Sequence, residues 1–319
     1  MLRHDATKIA LYFLSVAVLG ALLTPVLFQF GKGLAEWPAF ARAEEGLFAY
    51  LHRVLSTSGF PRYFNRAVLL AAVLLFFPFA RWIGLRGLSL GFRKNPFGWG
   101  HLLLGFGLAA GILLAGGWGF LRWGAYEMRP EPEWWNEGQE ALTAAIGVSL
   151  LEEFFFRGLL VALVLRSFSM RGTWVFVTVL FAVVHFLQPQ EGFALRDEEV
   201  GWDAGFRLLA SILENFVEVN FLLAELLTLL AVGAVLGAVR WREGSIWGAI
   251  GLHAGWVFGL KLYSGVSRGG QGLAEGEFMP WLGENLRVGL FPCFLVVLTG
   301  GLFLWLTRPK AGRKLGQSA

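Results

Sequence analysis

The stretch SLLEEFFFRGLL, residues 149–160, places two adjacent glutamates and an arginine inside an otherwise apolar run. A charged side chain is costly inside a membrane unless it faces other helices or a water-filled cavity. On a helix, Glu153 and Arg157 are four residues apart, so they share a face and form an ion pair. Glu152 is turned about 100° away and is left without a local partner. The stretch predicts a membrane helix that carries an unpaired carboxylate into a polar site.

The composition agrees with a membrane protein. Of 319 residues, 56% are hydrophobic and only 16% are charged, whereas a soluble domain carries about a quarter charged residues. The single Cys293 excludes an internal disulfide and a Cys-based metal site. The net charge of +4 is modest, and nucleic acid is not a partner that we expect.

Eight runs approach the length of about 20 mostly apolar residues that a membrane-spanning helix needs. Five are uncharged: 9–31, 102–121, 172–190, 244–260 and 288–307. Three more contain charge: 67–85, 141–165 and 219–239. The sequence therefore predicts an all-α, polytopic membrane helix bundle with about eight transmembrane helices.

The charges between these runs predict their orientation. Basic residues lie on the side that would hold both termini: Arg3, Lys8, Arg86, Arg93, Lys94, Arg166, Arg171, Arg240, Arg242, Arg308, Lys310, Arg313 and Lys314. Acidic residues lie on the other side: Glu127, Glu131, Glu133, Glu137, Glu140, Glu191, Asp197, Glu198, Glu199, Asp203, Glu275, Glu277 and Glu284. Basic loops mark the cytoplasmic side, so we expect both termini there. The loop 32–62 fits less well, and its spaced apolar residues predict an amphipathic helix at the membrane interface.

Two histidines accompany Glu152 inside the predicted spans. Counted from the predicted cytoplasmic ends of their spans, Glu152, His185 and His253 lie roughly 21, 20 and 14 Å deep, at about 1.5 Å per residue. Three residues from three helices thus reach similar depth. A buried carboxylate paired with histidine is suited to activating a water molecule.

Each of these residues also has a structural explanation. A buried pair such as Glu153 with Arg157 mainly neutralises itself, and a membrane histidine is often a hydrogen-bonding core residue. Glu225 fits a polar seam with its neighbours Glu214, Glu218 and Asn220. His4, His52 and His101 lie in tails, loops or span ends, where we expect water.

Three short motifs carry a resemblance to a known family. Glu152-Glu153-x-x-x-Arg157 resembles the EExxxR motif of the CPBP family, which unites type II CAAX prenyl endopeptidases with bacteriocin-processing and Abi proteins. Phe181-x-x-x-His185 resembles its FxxxH motif, and His253 resembles the histidine of its HxxxN or HxxxD motif. The order and spacing of the motifs extend the resemblance over residues 141–263.

The resemblance implies intramembrane peptidase chemistry. Glu152 would be the general base that activates water, His185 would assist it, and His253 would stabilise the oxyanion. Glu153 and Arg157 would support the helix. The family has also been described as metal-dependent, and the trio Glu152, His185 and His253 has the ligand types of a His₂Glu zinc site. Metal-bound and glutamate-activated water both stay open here, and we favour the second.

One position departs from the family pattern. Val257 stands four residues after His253, where the family has Asn or Asp. Valine offers no hydrogen bond, and the loss of one oxyanion donor costs about 2.7–4 kcal/mol. Either the enzyme is impaired, or His253 acts alone, or another polar group such as Asn220 replaces the missing donor.

The resemblance divides the chain into N-terminal membrane helices (1–140, with the interfacial segment at 32–62), a catalytic core (141–264), and a last part with an outer loop, a helix and a basic tail (265–319). We predict an integral, multi-pass protein of the bacterial cell membrane whose partners are the lipid bilayer and a membrane-associated protein or peptide substrate. Two alternatives are a non-catalytic member in protein sorting or bacteriocin immunity, and a proton-coupled transporter.

Overall fold

The structure is a computed structural model that describes residues 2–43, 46–84, 91, 95–185, 193, 195–214, 219–274, 277–278, 280–283, 286–287 and 289–308. In chain order its α-helices are α1 (Leu2–Glu36), α2 (Pro38–Ala41), α3 (Gly46–Thr57), α4 (Phe60–Ile83), α5 (Gly98–Arg122), α6 (Trp134–Glu153), α7 (Val161–Val164), α8 (Met170–His185), α9 (Ala204–Glu214), α10 (Val219–Glu243), α11 (Trp247–Val266), α12 (Gln271–Ala274) and α13 (Leu290–Leu306).

Four further elements complete the described chain. A π-helical segment, Phe154–Leu160, joins α6 to α7 and is called the π segment below, and a 3₁₀ turn covers Asp197–Glu199. Strands β1 (Tyr126–Met128) and β2 (Ser267–Gly269) pair antiparallel, with Tyr126 opposite Gly269. The predicted all-helical class is confirmed, and this small two-stranded sheet is an addition that the sequence did not indicate.

A helix covers most of the described residues of each of the eight apolar runs. Among the residues that the structure describes, three helical stretches are long and apolar enough to cross a membrane: Thr7–Glu36, Phe60–Ile83 and Gly98–Arg122. Met170–His185 and Leu290–Leu306 are shorter apolar helices. The α6, α10 and α11 regions carry charged or less apolar residues, so composition alone does not make them spans. The number of crossings stays a prediction.

Some of the charged residues that predict the orientation of the chain in the membrane lie outside the described residues. The described part of the chain does not include Arg86, Arg93, Lys94, Glu191, Glu275, Glu284, Lys310, Arg313 or Lys314. The cytoplasmic placement of both termini therefore stays a prediction. The predicted helix in the loop 32–62 corresponds to α2 and α3, while its place at a membrane interface stays untested.

One compact unit consists of Met1–Gly87 and Phe186–Glu218. Helix α1 packs along α4 and also contacts α3 and α9. Its core includes Phe28, Phe60 and Leu208. The approach of α9 to α1 is close, because a Cβ on Gly205 would overlap the backbone of Ala21.

The second compact unit consists of Leu88–His185 and Val219–Ala319. Helix α11 packs along α5 and α6, and α10 packs against α8 and α13. Glycines allow the closest approach: a Cβ on Gly255 would lie 2.5 Å from the carbonyl oxygen of Phe106. Small residues at this spacing are typical of membrane helix pairs. All elements of the candidate site belong to this unit, whereas the predicted division at residues 140 and 264 stays a prediction.

Candidate active site

The glutamate motif lies at a junction between two kinds of helix. Helix α6 ends at Glu153, and the following residues widen into the π segment. The amide of Val161 donates to the carbonyls of Phe156 and Gly158, instead of reaching back four residues as in an α-helix. The uniform helix expected over 141–165 is therefore replaced here by a π turn, a feature found often at functional sites.

The π segment lies in the interior of its compact unit. Five successive residues of the π segment, 156–160, are buried. A regular amphipathic helix buries one stripe, so burial all round places this segment inside the unit. Phe156 packs edge-on against Phe181 of α8, with ring centroids 5.1 Å apart.

The predicted pair of Glu153 and Arg157 is present and fully enclosed. Nη1 of Arg157 lies 2.9 Å from Oε1 of Glu153, and the two side chains are 1% and 0% exposed. The guanidinium also lies over the ring of Phe181, 4.3 Å from its centroid, and Nη2 donates to the carbonyl of Gly233 at 3.4 Å.

Glu153 has a second partner that the sequence did not reveal. Its Oε1 lies 2.8 Å from Nδ1 of His253 on α11. A carboxylate oxygen accepts, so Nδ1 of the ring carries the hydrogen. Arg157, Glu153 and His253 thus form one chain of charged contacts across two helices.

Glu152, His185 and His253 meet as their depths predicted. Oε2 of Glu152 lies 3.5 Å from Nε2 of His185 and 3.9 Å from Nε2 of His253. The side chain of Glu152 is 29% exposed, so it belongs to a partly open site. Among the described residues its Oε2 makes no direct hydrogen bond.

His185 is oriented by its own helix. Its Nδ1 lies 2.7 Å from the carbonyl oxygen of Phe181, one turn earlier. Because a carbonyl only accepts, Nδ1 donates and Nε2 is directed toward Glu152. In both histidines, therefore, Nδ1 is held by a hydrogen bond and Nε2 faces Oε2 of Glu152.

The donor types suit zinc, but their arrangement does not form a metal-binding group. Within the described ranges, no group of three or more His, Cys, Asp or Glu side chains is placed to hold a metal ion. We therefore take no chemical step through a metal.

The departure at Val257 is a partly buried side chain on α11, one turn after His253. It supplies no polar atom. The side chain of Asn220, the substitute considered from the sequence, lies outside the described side chains.

Two residues away from the site have ionisable partners that the sequence did not indicate. Nδ1 of His101 lies 2.9 Å from Oε1 of Glu243, with the side chains 20% and 4% exposed, so the expectation that His101 lies in water is wrong. Its sequence position at a predicted span end concealed a partner more than a hundred residues away. Glu225 pairs with Arg287 at 2.8 Å.

These features define a helical membrane protein with a glutamate–histidine centre at the junction of α6, α8 and α11. Residues 134–259 match the model of a family described as type II CAAX prenyl endopeptidase Rce1-like. The matched part is less than half of the chain, yet it contains Glu152, Glu153, Arg157, His185 and His253. The match confirms the resemblance to the CPBP family and supports an intramembrane protease of the CAAX type. No curated protein and no solved structure matches the chain.

Proposed function

We propose that the protein is an intramembrane peptidase that hydrolyses a peptide bond of a membrane-associated protein or peptide with a glutamate-activated water. The observation that carries the proposal is the approach of both Nε2 atoms, on His185 and His253, to Oε2 of Glu152. A carboxylate beside two oriented imidazoles has the groups that acid–base hydrolysis requires.

The proposed role of His253 requires a hydrogen on both nitrogens of its ring. Arg157 and Glu153 neutralise one another, and Glu152 is a further anion in a partly open site. A protonated His253 would balance that charge, and its Nδ1–H would donate to Glu153. Buried charges are tolerated when they are paired in this way. His253 then offers its Nε2–H toward the substrate.

The chemical steps follow from this assignment. Glu152 takes a proton from water as the water oxygen bonds to the substrate carbonyl carbon. Nε2–H of His253 donates to the oxyanion that forms, a role that is worth about 100- to 1,000-fold in rate for a single donor. The proton on Glu152 then passes to the leaving nitrogen as the C–N bond breaks. His185 assists from beside the carboxylate, where its Nε2 accepts a hydrogen bond from the same water.

A peptide-cleavage assay tests the proposal. Purified protein in detergent or lipid nanodiscs is incubated with a quenched-fluorescence peptide library, beside Glu152→Gln and Glu225→Gln. Glu225→Gln removes a carboxylate on a neighbouring helix that pairs with Arg287 rather than with the site. We expect wild type and Glu225→Gln to cleave and Glu152→Gln to be inactive. Equal behaviour of wild type and Glu152→Gln would contradict the proposal.

A second candidate function is supported by Val257. A chain that lacks the oxyanion donor of the third motif is suited to a non-catalytic membrane role in protein sorting or bacteriocin immunity. An intact, folded protein that cleaves no library member, with binding of a membrane peptide retained, would favour this alternative.

A further inference from the structure

In the π segment, the backbone carbonyl of Arg157 accepts a hydrogen bond from the side chain of Arg240 on another helix. In an α-helix the amide of Val161 would donate to the carbonyl of Arg157, but here it donates to Phe156 and Gly158. Nε of Arg240, on α10, donates to the carbonyl oxygen of Arg157 at 3.2 Å. Buried backbone carbonyls are costly without a partner, so this side chain supports the π turn.

The contact between the π segment and α10 is reciprocal. The guanidinium of Arg157 donates to the backbone carbonyl of Gly233 on α10, while the guanidinium of Arg240 donates to the backbone of Arg157. Gly233 and Arg240 are seven residues apart and share one face of α10. Two hydrogen bonds in opposite directions thus fix the π segment to that face.

The same helix aligns the element that carries His185. Nε1 of Trp174, on α8, donates to the carbonyl of Ala234 on α10 at 3.0 Å. A Cβ on Gly233 would lie 3.2 Å from the carbonyl oxygen of Thr178, so α8 and α10 are in close contact. Helix α10 therefore contacts both the π segment and α8, although it supplies no proposed catalytic residue.

Packing leaves the side chain of Arg240 little freedom. A Cβ on Gly91 would lie 2.9 Å from Nε of Arg240 and 2.8 Å from a methyl group of Ile246. Gly91 has a φ of 79°, which favours glycine, and its carbonyl accepts the amide of Ile246 at 3.1 Å. Gly91 therefore lies in close contact with the side chain of Arg240.

We infer that Arg240 is a positioning residue of the active site, which holds the π segment so that Glu153 and Arg157 keep His253 aligned with Glu152. The inference rests on the proposed function for its effect on catalysis. Arg240 contacts the backbone of Arg157, the guanidinium of Arg157 contacts Glu153, and Glu153 contacts His253. Arg240 acts through these groups and not on the substrate.

The test compares Arg240→Gln and Arg240→Lys with Arg242→Gln, which removes an exposed cation from the same end of α10. Hydrogen exchange followed by mass spectrometry reports protection of peptides covering 154–165, and peptide cleavage reports kcat and KM. We expect Arg240→Gln to lose protection there and to lower kcat roughly 10- to 100-fold with KM unchanged, as small misplacements of catalytic groups do. Arg240→Lys keeps a donor and should show a smaller loss in both readouts. Arg242→Gln should match wild type.

A double variant separates positioning from a general structural role. If Arg240 acts through His253, then Arg240→Gln combined with His253→Ala should be no less active than His253→Ala alone, because coupled residues are not additive. Fully additive losses would overturn the inference. So would an exchange pattern in which both Arg240 variants match Arg242→Gln. Should Glu152→Gln prove as active as wild type, the proposed function fails, and the exchange pattern alone decides on Arg240.

Discussion

In the proposed mechanism, Glu152 works with two imidazoles whose Nδ1 atoms already have hydrogen-bond partners. Phe181 holds Nδ1 of His185 through its carbonyl, and Glu153 holds Nδ1 of His253. Each ring therefore presents Nε2 to Glu152 in a fixed orientation. Such support from neighbouring groups is what keeps reactive atoms within working geometry.

Substitution of His185 or His253 should slow peptide cleavage more than substitution of a histidine elsewhere in the chain. We expect His185→Ala and His253→Ala each to lower kcat/KM by about 100-fold or more, because they assist proton transfer and oxyanion stabilisation. His52→Ala serves as the control, because that ring contacts the carbonyl of Ala35 and belongs to the other compact unit. Equal rates for all three variants would remove the histidines from the mechanism.

Val257 offers a gain-of-function prediction. Val257→Asn should raise kcat if the oxyanion site lacks one donor, by up to about 100- to 1,000-fold. Val257→Leu is the matched control, because it changes shape without adding a donor. A rate for Val257→Asn no higher than that of Val257→Leu would mean that the site needs no second donor.

The buried ion pair of Glu153 and Arg157 also contacts two neighbouring helices. Breaking a buried pair by removing one partner leaves an uncompensated charge and costs about 3–5 kcal/mol. Exposed pairs contribute only about 0–1 kcal/mol. The two cases can be compared in this chain, because Glu153 is enclosed while Glu127 pairs with Arg268 at the surface.

Glu153→Gln should therefore lower stability far more than Glu127→Gln. The measurement is the free energy of unfolding in detergent, with the amount of folded protein recovered as a second readout. We expect a loss of about 3–5 kcal/mol for Glu153→Gln. A loss as small as that of Glu127→Gln would show that Arg157 finds another counter-charge.

The helices and the convergence of the site follow from local sequence, whereas the links between helices do not. Apolar length predicts where helices lie, and the rise per residue places Glu152, His185 and His253 at similar depth. The contact of Glu153 with His253 joins residues one hundred positions apart. The pairing of His101 with Glu243 and the π turn likewise depend on packing that no local pattern records.

For the whole molecule, the glutamate-activated mechanism predicts independence from metal. Purified protein treated with a chelator and dialysed should retain its cleavage rate, and elemental analysis should find less than one zinc per chain. Loss of activity on chelation, restored by added zinc and absent in His185→Ala, would instead support the zinc alternative. The transporter alternative predicts proton-coupled flux in vesicles, which the peptidase account does not.

The most direct test of the central claim is a single turnover in water enriched in oxygen-18. If Glu152 activates water that attacks the peptide directly, the first turnover places the label in the new carboxyl terminus of the product. The side chain of Glu152 should stay unlabelled when its peptide is analysed by mass spectrometry. Label in Glu152 with an unlabelled first product would identify the carboxylate as a nucleophile and contradict the account.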